Sequence, residues 1–132
     1  MKSQNLMLGS TEAMTLTLKF EELAEFVVGI LIFNHLNFAW WYFPLLLLTP
    51  DIGMVGYLAN PKIGAWSYNL FHHKAVAIMV FLLGFYEGNQ WVMLIGTILF
   101  SHASLDRIMG YGLKYEDNFK HTHLGIVGNA KN

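Results

Sequence analysis

At 132 residues the chain is the size of one domain, yet only 13% of its residues are charged and 55% are hydrophobic; an ordinary soluble domain is roughly 25% charged. A chain this short hides only about two-thirds of its unfolded surface in a core, so the composition points to the bilayer as solvent. A formal net charge of -1 excludes the basic footprint of a nucleic-acid binder, and the lack of cysteine excludes disulfides and thiolate metal ligands.

The opening stretch, MKSQNLMLGSTEAMTLTLKFEEL, lacks the short apolar run and small-residue cleavage site of a secretory signal, so no removal is expected. Crossing the hydrocarbon takes about 20 mostly apolar residues. Four stretches approach that: residues 16–38, 39–59, 63–86 and 91–109, followed by a tail over 110–132. The first carries Glu21, Glu22 and Glu25 in its opening turns, and the second is interrupted by Pro44 and Pro50 and contains Asp51. Short connections make sequential helices antiparallel neighbours. The expected fold is therefore all-α, a single four-helix transmembrane bundle with an ordered cytoplasmic C-terminal tail. Lys2, Lys19, Lys62, Arg107, Lys114, Lys120 and Lys131 fall in the tails or the connection between the second and third stretches. Basic residues accumulate on the cytoplasmic side, which predicts cytoplasmic termini and a multi-pass protein of the inner membrane.

Ionisable residues inside such spans are costly unless they are partnered or functional. Asp51 directly follows Pro50, which removes a backbone donor and frees carbonyls around the carboxylate; its bland role is to cap the helix that restarts there. In the third stretch Tyr68, Asn69 and His72 share a face, so that Asn69 can orient the imidazole. In the fourth, His102 and Asp106 stand four residues apart on one face. Ser101 and Ser104 flank the pair, but spacing alone does not make a Ser-His-Asp triad. Arg107 sits where a cation suits the end of its helix, and equally where it can bind a phosphate or carboxylate. Beyond it, His121 and His123 alternate in a glycine-hinged tail that can fold back on the bundle.

Standard soluble motifs are missing: there is no HExxH, EF-hand loop, phosphate-binding glycine loop or GxSxG. What remains is a set drawn from three stretches and the tail: Asp51, His72, His102, Asp106 and His123. Imidazole and carboxylate from separate helices are how bundles build metal sites, and they suit zinc foremost, with manganese or iron as alternatives.

The strings PDIGMVGYL at 50–58, PKIGAWSYNLFH at 61–72 and HASLDRIMGYGLKYEDNFKHTHLG at 102–125 resemble the DUF4260 family of small, uncharacterised bacterial membrane proteins. The resemblance covers about Phe20 to Gly125 and implies a helical membrane fold without an established activity. It also implies an acidic position at Glu21 or Glu22, whereas His73, Lys74 and His121 depart from the family pattern. A looser likeness in site chemistry alone is to membrane hydrolases of the alkaline-ceramidase type, which gather Asp and His residues around zinc.

Three roles follow as expectations. The first is a metal-dependent hydrolase acting on a lipid or apolar substrate at the cytoplasmic interface, with Asp106 as ligand or general base and Arg107 and Tyr111 holding a headgroup or developing charge. The second is a proton- or ion-coupled transporter subunit, which with so few helices has to assemble as a homo-oligomer. The third is a binding or assembly module whose polar network only locks helices together.

Overall fold

The computed structural model describes residues 2–114, 121–122 and 124–126. Among them the chain is helical except for one minimal hairpin. Helix α1 spans Lys2–His35, α2 Tyr42–Leu46, a 3-10 segment η1 Thr49–Leu58, α3 Pro61–His72, α4 Lys74–Glu87 and α5 Gln90–Ile108. Strands β1 (His121–Thr122) and β2 (Gly125–Ile126) pair antiparallel, with His121 opposite Ile126 and Thr122 opposite Gly125.

The helical class expected from composition is present, but two of the expected spans are not continuous helices. Residues 39–59 divide at Pro50, which has no backbone N–H to donate and sits in the first turn of η1, where that loss is tolerated. Residues 63–86 divide at His73, whose extended backbone (φ -93, ψ 117) bends α3 against α4 by 48°. No proline or glycine stands at that break. Tertiary bonds hold it instead: the Arg107 guanidinium donates to the His72 carbonyl, and the Lys74 ammonium to the carboxylates of Glu22 and Glu25.

Helix α5 agrees with its expected stretch to within a residue at each end. Gly88 ends α4 in the left-handed conformation at φ 68, and the Asn89 side chain accepts from the amides of Trp91 and Val92 to start α5. Among the described residues no single helix is long and apolar enough to cross a membrane; α3 and α4 pass that test only as a bent pair.

Helix α5 is the central element, with α1 and α4 packed along it, while η1 lies on α3. One apolar cluster joins the end of α1 to the start of α5: Phe33, Leu36, Leu94 and Ile98, flanked by Phe43, Leu46 and Met93. Elsewhere the usual distribution is inverted. Phe20, Leu23 and Leu31 of α1 and Met79, Leu82, Leu83 and Phe85 of α4 are exposed, while Thr97, Ser101, His102 and Ser104 of α5 are buried.

The α4–α5 crossing depends on missing side chains. A Cβ on Gly96 would lie 2.5 Å from the Phe81 nitrogen, and one on Gly84 2.5 Å from the Met93 nitrogen. Gly96→Val is therefore expected to lower stability by about 1–3 kcal/mol, the usual cost of overpacking. Thermal unfolding of the purified protein measures it. Val55→Ile, at an exposed position of η1, should change stability by less than about 0.5 kcal/mol.

Candidate metal centre

Four side chains from three elements meet at one point. Asp51 comes from the first turn of η1, His72 from the last turn of α3, and His102 and Asp106 from successive turns of α5. One ligand-type atom from each lies within 4.8 Å of the others.

The 3-10 geometry of η1 delivers Asp51. With three residues per turn, Pro50, Gly53 and Gly56 share one side. That side lies against α3 so closely that a Cβ on Gly56 would stand 2.7 Å from the Ile63 carbonyl oxygen, and one on Gly53 3.0 Å from that of Ser67. Pro50 contributes a second effect. Lacking an N–H, it leaves the Leu47 carbonyl without its i+3 donor, and His102 Nδ1 takes the place at 2.6 Å. Asp51 makes no side-chain cap at the start of η1, whose N-cap is Leu48; its carboxylate turns to the histidines instead.

Both imidazoles are oriented by backbone carbonyls. His72 Nδ1 lies 2.8 Å from the Tyr68 carbonyl oxygen, and His102 Nδ1 2.6 Å from that of Leu47. A carbonyl only accepts, so each Nδ1 carries a proton; a ring that holds that proton alone presents a lone pair at Nε2. Those two Nε2 atoms face one another at 3.0 Å. Asp51 Oδ1 lies 3.2 Å from His72 Nε2 and 3.1 Å from His102 Nε2, and Asp106 Oδ2 lies 3.3 Å from each. Two imidazole nitrogens and two carboxylates thus converge, and the Tyr68 hydroxyl, 3.2 Å from Asp106 Oδ2, donates at the margin. With both rings neutral the four are acceptors and repel one another unless a proton or a metal cation lies among them.

Burial makes the repulsion matter. The side chains of His72 and His102 are 3% and 1% exposed and that of Asp106 is 14% exposed, while that of Asp51 is 40% exposed and marks the open side. The Tyr68 ring stacks on His72 with centroids 3.7 Å apart and planes within 9°. On the basis of spacing, Tyr68 was expected only to share a face with His72; the stacking and the bond to Asp106 need the tertiary fold. The buried hydroxyls of Ser101 and Ser104 make no hydrogen bond among the described residues, so no Ser-His-Asp relay forms.

Asn69 does not orient His72. Its Nδ2 donates to the Lys114 carbonyl at 2.8 Å and its Oδ1 accepts from the Lys114 amide at 2.6 Å, the two bonds that a neighbouring strand would make. Lys114 also bridges to Thr122, and its ammonium stands 4.8 Å above the Tyr68 ring. Burial pushes that ammonium below the usual lysine range, against the upward pull of the Asp106 and Asp51 carboxylates. The tail is thus tied back to α3 beside the cluster.

Other expected residues stand apart. Arg107 is directed to the His72 carbonyl rather than to an open site, and Tyr111 is exposed. Glu22 pairs with Lys74, together with Glu25, while Glu21 is exposed on α1. His123 lies outside the described residues, and the expectation that it joins the ligands rests on sequence alone.

The geometry defines a helical protein that brings two histidines and two aspartates to one buried point. The chain matches the model of the DUF4260 family, a domain of unknown function, over residues 15–127, and belongs to that family. No curated protein and no solved structure matches it.

Asn69→Ala should remove both bonds to Lys114 and raise hydrogen exchange at the Lys114 amide by about tenfold, the effect of roughly 1–1.5 kcal/mol. Asn69→Asp keeps an acceptor for that amide and should restore part of the protection, measured by exchange mass spectrometry.

Proposed function

We propose that this protein is a membrane-embedded, metal-dependent hydrolase acting on a lipid or another apolar substrate at the cytoplasmic interface. The observation that carries the reading is the facing pair of Nε2 lone pairs between two carboxylates. A single proton relieves one contact of such a cluster, whereas a divalent cation relieves all of them.

The spacing supports that choice. Bond lengths of about 2.0–2.2 Å put the ligand atoms of a tetrahedral zinc roughly 3.3–3.6 Å apart, and an octahedral ion with bonds near 2.1 Å puts cis ligands roughly 3.0 Å apart. Five of the six separations among the four ligand atoms lie between 3.0 and 3.3 Å, all but that between the two aspartates. Zinc suits this donor set, and manganese or iron fits the same nitrogen and oxygen ligands.

When bound, such a cation supplies Lewis-acid activation of water and of a substrate carbonyl or phosphoryl oxygen. The protein residues do the rest. The Leu47 and Tyr68 carbonyls hold the two rings in the Nδ1–H form, and the Tyr68 hydroxyl fixes the carboxylate of Asp106. Asp51, on the open side, is placed to take a proton from incoming water. Tyr111 offers an exposed phenol at the end of α5 for a headgroup.

Placement in the membrane rests on the inverted surface, with apolar side chains of α1 and α4 outward and polar ones of α5 inward. In this reading the four traverses are α1, α2 with η1, α3 with α4, and α5. Charge asymmetry then puts both termini in the cytoplasm.

Elemental analysis of the purified full-length protein tests the reading. Wild type is expected to carry about one divalent metal per chain, with His102→Ala and Asp51→Ala folded but empty, and Tyr68→Phe weakened by roughly tenfold to a hundredfold as an outer partner of a ligand. A chelator should lower the thermal midpoint of wild type and leave His102→Ala unmoved, because a ligand of the native state stabilises it by mass action. Folded wild type that binds no added zinc, manganese or iron overturns the proposal and leaves a network that only locks helices.

A further inference from the structure

A cavity of about 400 Å³ lies along α5, lined by residues next in sequence or one helical turn from three members of the four-residue cluster. Its walls include Trp91, Ile95 and Ile98 of α5, Pro50 and Ile52 of η1, and Phe71 of α3. Pro50 and Ile52 are the two neighbours of Asp51, and Phe71 precedes His72. On α5 the residues Trp91, Ile95, Ile98, His102 and Asp106 follow one another at spacings of three or four, so they form a single face. The apolar half of that face lines the cavity, and the polar half supplies two of the converging acceptors. From Trp91 to Ile98 the face is about 10 Å long at 1.5 Å per residue, with His102 one turn further on.

No charged side chain is among the described lining residues. Of the two polar side-chain groups present, the Thr49 hydroxyl is turned to the Leu46 carbonyl at 2.6 Å, and the Trp91 indole N–H lies at the end away from His102. Such a space offers nothing to water, which needs two or more polar partners, and nothing to a headgroup. Its volume and lining are those of a small-molecule site.

We infer that this cavity holds one hydrocarbon chain of the substrate, laid along α5 with its polar end at the His72–His102 cluster. The occupant is fixed by continuity: one face passes from indole to isoleucines to histidine and aspartate without an intervening polar side chain, so a ligand that fills it is apolar along its length and polar at one end. A second protein helix, about 10–12 Å across with its side chains, does not fit a cavity of this volume bounded by α2, η1, α3 and α5. The inference rests on the metal-dependent reading above and adds to it the class of substrate, a single-chain amphiphile.

The test uses straight-chain hydroxamates, from acetohydroxamate to octanohydroxamate, titrated into zinc-loaded full-length protein in nanodiscs of fixed lipid content, with affinity expressed against free aqueous probe. Affinity is expected to rise about fourfold per added methylene, the increment of burying a CH₂ group. Ile95→Trp and Ile52→Trp fill the cavity from positions that are exposed at their outer edge, so folding is not at risk. Both should keep full zinc occupancy and wild-type affinity for acetohydroxamate, and bind octanohydroxamate within about threefold of it. A wild-type series with no dependence on chain length, or variants that keep the full increment, overturns this inference and leaves the metal reading standing. Failure of folded wild type to take up zinc, manganese or iron removes the metal reading and this inference with it.

Discussion

Two imidazole Nε2 atoms facing each other across 3.0 Å is the constraint around which this fold is arranged. Neither ring is free to turn away, because the other nitrogen of each is bonded to a main-chain carbonyl. One of those carbonyls is available because Pro50 donates nothing to it. The other belongs to the same helix as its histidine, one turn back. The backbone therefore sets the direction of both Nε2 atoms, and the two carboxylates add to the negative potential between them. Buried acceptors are costly when unpaired, so an arrangement that aims these four groups together needs a proton or a cation among them.

The surrounding architecture serves that point. Glycines let η1 lie directly on α3, and α5 is clasped by α1 and α4 through further missing side chains. The bend at His73 has no local cause in the sequence; it is set by Arg107, which caps the end of α3, and by Lys74 between two glutamates of α1. Charges that spacing alone presents as candidate reactive groups are thus used to position a ring. The same holds for Asn69, whose amide replaces a strand for the tail.

How much of this was legible before the fold was known depends on the range of the interaction. His102 and Asp106 share a helical face by arithmetic, and Tyr68 and His72 do so too, so their pairing could be read from spacing. That Asp51 belongs with them followed from its cost inside an apolar stretch next to a proline. The tautomers of the rings, the stacking of Tyr68 and the destination of Arg107 could not be read, since each depends on contacts between elements far apart in the chain. The interruption of 39–59 was legible from its prolines, whereas the continuous helix expected over 63–86 is broken for the same reason of range. Pro50 was visible as a breaker, but the break at His73 is made by partners on α1 and α5. His123 was named from the alternation of the tail, and it lies outside the described residues.

The 3-10 segment has a further consequence, for which sequence changes the chain can absorb. Its three-residue period works as a ruler: Pro50, Gly53 and Gly56 keep contact with α3 because each is one full turn from the last. Ile52, Val55 and Leu58 stand on another row and are exposed; Ile52 walls the cavity beside α5, while Val55 and Leu58 are free to vary in size. Adding or deleting one residue between Pro50 and Gly56 turns the rest by a third of a circle, bringing a bulky side chain where only hydrogen fits. Variation in this segment should therefore come as replacements on the outer row, while its length stays constant.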